Sequence, residues 1–253
     1  MAVVTGAGSR ADGIGNGRAA AILLARDGAK VLLIDTVAEW AETTRRMIEE
    51  AGGEALVHTG NVSRNADCRD AAAAALTQWG RIDILVNNVG IGGPRGTALD
   101  VDLDEWDEAL RINVTSMMLM ARHCLPPMLA QGKGTIINVA SVLGLLGGHP
   151  SLLYSTSKGA VVNMTRAMAA QHGRQGIRVN CVAPGMVHTP MVYAGGMSEA
   201  VRETRRKISL LETEGTGWDV GHAVRYLAGD EAGWVTGVIL PVDAGTTAGR
   251  HFY

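Results

Sequence analysis

The apolar positions of this chain fall into two alternating patterns. Short continuous apolar runs, often β-branched, stand at 2–5 (AVVT), 31–35 (VLLID), 55–62 (ALVHTGNV), 82–90 (IDILVNNVG), the run ending near Ala140 (GTIIN), 176–185 (GIRVNCVAPG) and VTGVILPVDAG. Such runs predict buried strands. Between them lie segments with apolar residues at helical spacing: 14–27, 39–51, 66–79, 104–131, the stretch after Tyr154, and 219–228. About seven strands alternating with helices predict one α/β domain over 1–253, a doubly wound, Rossmann-type parallel sheet with helices on both faces. The long segment 104–131 begins with Asp104, Glu105 and Asp107, as a helix dipole favours, and Pro126-Pro127 is expected to kink or break it. Residues 190–215 carry no sustained pattern and read as a partly helical lid, and AGRHFY as a tail.

The glycines give this frame a chemistry. TGAGSRADGIGNG separates the first strand from the first helix, as in a βαβ unit that binds a dinucleotide. Glycine lets the backbone approach a pyrophosphate, and helix N-terminal amides favour its charge. One register uses Gly6, Gly13, Ile14 and Gly15; a second uses Gly6, Gly8 and Ala11. The first is preferred, because Gly13-Ile14-Gly15 abuts the helix. Asp35 ends the second strand, twenty residues after Gly15, where a carboxylate binds adenosine ribose hydroxyls and repels a 2′-phosphate. NAD is therefore expected over NADP, with Arg10 in the loop as the one residue that would favour a phosphate.

A second chemistry lies in SVLGLLGGHPSLLYSTSK. Ser141 ends a strand, and Tyr154 and Lys158 stand i and i+4 on the following helix. A free phenol titrates near ~10, so bringing it to ~7 takes about 4 kcal/mol of differential stabilisation. A neighbouring ammonium and a cationic nicotinamide favour the phenolate. Tyr154 would then exchange a proton with an alcohol or carbonyl, and Ser141 would hydrogen-bond the same oxygen.

Taken together, Thr5-Gly6 with Gly13 and Gly15, NNVG at 87–90, Ser141, and Tyr154 with Lys158 resemble the short-chain dehydrogenase/reductase family in order and over nearly the whole chain. The resemblance departs in one place: six residues separate Gly6 from Gly13 where the family has three, which leaves the contacts of Gly8 to Asp12 open. It implies that Ser141, Tyr154 and Lys158 are catalytic, with Asn113 holding a water of the proton relay through its carbonyl. It further implies that Asn61 and Val62 meet the adenine, Asn61 through its carbonyl oxygen, and that Asn88 and Gly90 line the cofactor cleft. Pro184, Gly185, Val187 and Thr189 match its Pro-Gly-x-x-x-Thr segment, which binds the nicotinamide carboxamide. It also implies a homotetramer built on the helices at 104–131 and 155–173. Ala160, Val161, Met164, Ala167, Met168 and Ala169 give the second of these more apolar surface than one face needs.

Composition excludes other classes. A net charge of -2 gives no basic excess for nucleic acid or anionic membrane. No apolar run reaches membrane-spanning length. Cys68, Cys124 and Cys181 are scattered and the seven histidines form no His-x-x-x-His pair, so no metal site is expected. The unpaired cysteine count and a start that leads directly into a strand suggest a cytoplasmic setting. The leading expectation is an NAD-dependent dehydrogenase of a secondary alcohol. An NADPH-dependent 3-oxoacyl-type reductase and a non-catalytic dinucleotide sensor are the alternatives. Val142, Leu143, Leu145 and Leu146 suggest a hydrophobic substrate, with His149 and His188 near it.

Overall fold

A computed structural model describes residues 1–249; the tail lies outside the described residues from Arg250 onward. Seven parallel strands form one sheet in the order β3-β2-β1-β4-β5-β6-β7. They are β1 (Ala2–Thr5), β2 (Val31–Asp35), β3 (Ala55–Thr59), β4 (Ile84–Asn87), β5 (Gly134–Val139), β6 (Ile177–Pro184) and β7 (Ile239–Val242). The expected fold class is the observed one, and its strands match the apolar runs closely. Parallel strands joined by crossover helices are buried on both faces, so their sequences read as unbroken apolar stretches. Alternate residues then serve opposite layers. Val4 and Leu33 pack with α1 (Asn16–Arg26), α2 (Ala38–Glu50) and α9 (Gly217–Ala228). Val3, Leu32 and Ile34 pack with α3 (Asn65–Trp79), α5 (Ser116–Gln131) and α6 (Leu152–His172).

The strand order reverses between β1 and β4. Crossovers run one way from β1 and the other way from β4, which leaves a crevice at the strands' C-terminal ends. A buried polar chain stiffens the sheet just below it. Asn87 Nδ2 donates to Asn138 Oδ1 at 2.9 Å and to the Met117 carbonyl at 3.3 Å, and Asn138 Nδ2 donates to Thr165 Oγ1 at 3.0 Å. These bonds join β4, β5, α5 and α6 across the core.

Three boundaries differ from expectation, the first being that the final strand, expected over VTGVILPVDAG, is only Ile239–Val242. The third strand stops at Thr59 rather than Val62. The Gly60 N–H still makes the last ladder bond, to the Asp35 carbonyl (3.0 Å), and the chain leaves the sheet where the Asn61 N–H turns to Asp67 Oδ2 (2.8 Å). The helix expected at 104–131 is not one regular helix. α4 (Leu103–Leu110), capped by Asp102 Oδ1 on the Glu105 N–H, widens into a π-helical turn over Arg111–Thr115 before α5 begins. Of the kink or break expected at the prolines, the break does not occur: α5 runs past Pro126 and Pro127. Arg122 and Pro126 are exposed, so water can take the carbonyl that Pro126 leaves without a donor.

The apolar stripes of α5 and α6 serve mostly this chain's own core. Met117, Ala121, Cys124 and Met128 on α5, and Val161, Met168 and Ala169 on α6, are buried in the single chain. Met118 and Ala167 are left exposed. The lid region holds α7 (Pro190–Tyr193) and α8 (Glu199–Arg206). Asn138→Ala should lower stability by roughly 2 kcal/mol, because Asn87 and Thr165 each lose a buried partner. A urea titration of both proteins reads this; an unchanged midpoint would mean the network is dispensable.

Candidate active site

One cleft runs along the C-terminal ends of the strands, with a volume of about 370 Å³, within the range of cofactor pockets. Gly6, Gly15, Asp35, Asn61, Val62 and Asn88 line it, as do Gly90, Tyr154, Lys158 and Thr189. These residues lie far apart in sequence, and the sheet brings them to one edge.

At one end stands Asp35. Its Oδ2 accepts the Gly8 N–H at 2.9 Å and its Oδ1 the Val37 N–H at 3.3 Å. Each oxygen keeps a lone pair for a ribose hydroxyl. The lengthened glycine loop thus folds back onto this carboxylate. Arg10, Thr36 and Trp40 complete that wall. Asn61 does not present its carbonyl oxygen as expected. Oδ1 accepts the Ser63 N–H (2.9 Å) and the Ser63 hydroxyl (2.8 Å), so its NH₂ is the group left over. A backbone N–H can only donate, which fixes the amide's orientation. That donor complements a purine ring nitrogen rather than an exocyclic amine.

In the middle, α1 starts at Asn16 directly after Gly13-Ile14-Gly15. Asn16 lines the cleft, and its buried Oδ1 has no partner. Asn88 Nδ2 donates to the Thr5 and Gly6 carbonyls at 3.1 and 3.0 Å, while the Asn88 N–H donates to Thr5 Oγ1 at 3.0 Å. These bonds hold the start of the glycine loop against β4. Gly13 and Ile14 flank the cleft without lining it, and Gly13 packs under Tyr193. The carboxylate at one end, the helix N-terminus in the middle and the orphaned amide oxygen fit a dinucleotide.

At the far end, Tyr154 sits in the first turn of α6. Its N–H donates to Ser151 Oγ at 3.1 Å, and that hydroxyl donates to the Pro94 carbonyl at 2.6 Å. Gly96 and Ser151 form a parallel bridge beside it. Ser141, just past the end of β5, stands near enough to the Tyr154 phenol to favour its ionised form, and its Oγ accepts the Leu143 N–H at 3.2 Å. Lys158 is 4% exposed. Its Nζ donates to the Val139 carbonyl at 3.2 Å and lies 5.7 Å from the Tyr154 ring centroid. A Cβ on Gly90 would stand 3.0 Å from that Nζ, so the glycine leaves the ammonium its place.

Asn113 lies in the π-helical turn, completely buried. Its Oδ1 accepts the Ile91 N–H (2.8 Å), and its Nδ2 donates to the Ile91 carbonyl (2.9 Å) and Ser157 Oγ (3.0 Å). Ser157 Oγ in turn donates to the Tyr154 carbonyl at 2.9 Å. The side chain is spent on positioning, which leaves the backbone carbonyl for a relay. A widened turn at a functional residue is a recurrent device.

Burial raises the Tyr154 phenol above its ordinary value, and Ser141 beside it works against this. Burial lowers Lys158 to about 8. Among the groups of the chain itself, burial is the larger influence on the phenol.

Pro184, Gly185 and Val187 stand behind the cleft wall. Both main-chain groups of Val187 are engaged, the N–H with Gly185 O (2.9 Å) and the C=O with Arg205 (3.2 Å). His149 does lie near the chemistry: its ring is 5.2 Å from that of Tyr154, and its Nδ1 accepts the Ser151 N–H. His188 turns to the lid, 4.8 Å from the Tyr193 ring and 3.5 Å from Glu214. Trp40 and Met191 line the cleft; Met191 comes from the segment read as a lid, whereas Trp40 was not expected. Trp40, five residues after Asp35 in a chain with few aromatics, had a signal. Among the described residues, no group of three His, Cys, Asp or Glu could hold a metal ion.

Lys158 has a testable linkage. In the fold it titrates at about 8, against 10.5 for an ordinary lysine. Between these limits the unfolded chain holds the extra proton, so this group's contribution to stability rises with pH. Wild type minus Lys158→Met should show that rise between pH 8 and 10.5. The subtraction removes the three buried thiols, which titrate in the opposite sense. A flat difference in urea midpoint would mean that folding does not shift the Lys158 ammonium from its ordinary value.

Residues 9–247 match the family model described as enoyl-(acyl carrier protein) reductase. The chain is 38% identical over 248 residues to the cis-4-hydroxycyclohexanecarboxylate dehydrogenase of Sinomonas cyclohexanicum, covering 98% of this chain and 96% of that one. It is 37% identical over 252 residues to the 2-(R)-hydroxypropyl-CoM dehydrogenase of Xanthobacter autotrophicus, covering 98% of each. The crystal structure of a short-chain dehydrogenase/reductase from Burkholderia xenovorans, its function itself only assigned provisionally, superposes with a TM-score of 0.94 at 36% identity, covering 99% of this chain and 97% of that one. The chain belongs to the short-chain dehydrogenase/reductase family, oxidoreductases that work with a nicotinamide dinucleotide.

Proposed function

We propose that this chain is an NAD-dependent dehydrogenase passing hydride between a secondary alcohol, or its ketone, and the nicotinamide. One observation carries the reading: Tyr154, beside Ser141 and backed by Lys158, shares a single cleft with the Asp35 carboxylate. The dinucleotide, when bound, supplies the hydride acceptor and a positive charge beside the phenol. The chain's residues do the rest. Asp35 accepts from the adenosine ribose hydroxyls, and Asn16 Oδ1 and the start of α1 face the middle of the cleft. Ser141 Oγ holds the substrate oxygen. Tyr154 Oη takes the alcohol proton, and Lys158 with the Asn113 carbonyl carries it onward. A proton acceptor matched to its task is worth about 10²–10⁴-fold in rate. The names of the two relatives, a hydroxycyclohexane and a hydroxypropyl compound, favour a secondary alcohol. Half-buried Leu143 and partly exposed Leu145 and Leu146 favour an apolar body for it.

A second reading, an NADPH-dependent reductase of the 3-oxoacyl type, draws on Arg10, which lines the cleft with Asp35. Asp35 argues against it, since its charge would repel a 2′-phosphate. We place the enzyme in the cytoplasm, in keeping with three buried free thiols. A homotetramer is proposed on the resemblance, with exposed Met118 and Ala167 as the apolar positions left for it.

Tyr154→Phe should lower turnover by about 10² or more while NAD still binds; near-wild-type turnover would remove the phenol from the mechanism. Wild type should prefer NAD over NADP in kcat/KM, and Asp35→Ala should shrink that ratio. A wild-type preference for NADP would transfer the discrimination to Arg10.

A further inference from the structure

The glycine loop is three residues longer than the family's spacing, and the extra length has a partner. Tyr193, the last residue of α7, donates its hydroxyl to the Asp12 carbonyl at 2.6 Å. The two residues are 181 positions apart. Gly13, at φ +117°, lies directly beneath, and a Cβ there would overlap the Tyr193 hydroxyl. The loop and the lid are thus fitted to one another at van der Waals contact.

Both feet of this contact are anchored. On the loop side, Arg18 is 2% exposed and donates to the Gly13 carbonyl at 2.5 Å. It also donates to Thr44 Oγ1 at 3.0 Å and to the Trp40 carbonyl at 3.2 Å, which fixes the loop to α2. On the lid side, the His188 ring packs at 4.8 Å on that of Tyr193. His188 Nδ1 lies 3.5 Å from Glu214, which Arg202 grips through Nε at 2.9 Å and NH2 at 2.5 Å. Gly15 and Asn16 line the cleft from the loop's bank, and Thr189 and Met191 from the lid's. Tyr193 joins the two banks.

We propose that Tyr193 is a retaining residue for the dinucleotide: its hydroxyl ties α7 to the lengthened glycine loop, and the cofactor arrives and leaves only when this tie opens. The proposal rests on the reading of the cleft as a nicotinamide dinucleotide site. The acceptor is a main-chain carbonyl, so the tie depends on the loop's length and path rather than on any side chain of residues 10–12.

Stopped-flow fluorescence of bound NADH tests it. Tyr193→Phe keeps the ring on His188 and removes one hydrogen bond, so the NADH off-rate should rise about three- to tenfold. The single-turnover hydride rate and the thermal midpoint should hold, which a merely structural role would not allow. Deleting residues 10–12 removes the acceptor and should speed release similarly, and Tyr193→Phe should add nothing further in that background. If the shortened loop does not fold, Tyr193→Phe alone decides. An off-rate within about twofold of wild type, less than one net hydrogen bond is worth, overturns the tie, as does a full further acceleration in the shortened loop. A chain that prefers NADPH is tested with NADPH. Wild type binding neither dinucleotide sinks the functional reading and the tie together; binding with an unchanged off-rate sinks the tie alone.

Discussion

The cleft is built around a buried ammonium. Lys158 is placed where no water can solvate it freely, with the Val139 carbonyl as its named acceptor. Removing a charge from water is costly unless polar groups replace the solvent. Several neighbouring choices follow from this. The residue at 90 has no side chain, because one would stand against the ammonium. β5 stops at Val139, which frees that carbonyl from the ladder's end and lets Ser141 turn toward Tyr154. α6 must begin early enough to bring Tyr154 and Lys158 to the same edge, and Ser151 starts it by capping the Tyr154 N–H. The same burial that sets these positions raises the phenol, so the site is poised rather than already ionised.

Sequence carried the strands because a doubly covered parallel strand has no polar face to blur its pattern. VLLID and AVVT coincide with β2 and β1 to the residue. Spacing carried Tyr154 and Lys158, since one helical turn relates them, and Asp35, since the length of a βαβ unit does. What stayed hidden depended on contacts across the chain. The π-helical turn at Asn113 reflects the demand of Ile91 and Ser157, neither of which is its sequence neighbour. Pro126 and Pro127 looked decisive and were not, because a helix on the surface can give its orphaned carbonyls to water. The role of Asn61 was misread for a local reason: Ser63, two residues on, claims the oxygen.

The lengthened glycine loop shows the same division. Its extra residues were visible as a departure in spacing, but spacing alone says nothing of what they meet. One end returns to Asp35 through the Gly8 N–H, and the other meets Tyr193 in a segment almost the whole chain away. A local insertion has thereby become part of two long-range contacts, one at each end of the cleft's first bank.

Asn113 also fixes how the mouth of the site can vary. It holds Ile91 by both main-chain groups, and Ser151 holds Pro94 and bridges Gly96. The segment 91–96 is therefore pinned at three points, like a cord nailed along its length. Between the nails, Gly92 has nothing within 4 Å of where a Cβ would be, and Arg95 is exposed. These two positions can therefore vary at little cost to the anchors. Side chains can be added there while the anchors, and the catalytic groups behind them, stay where they are.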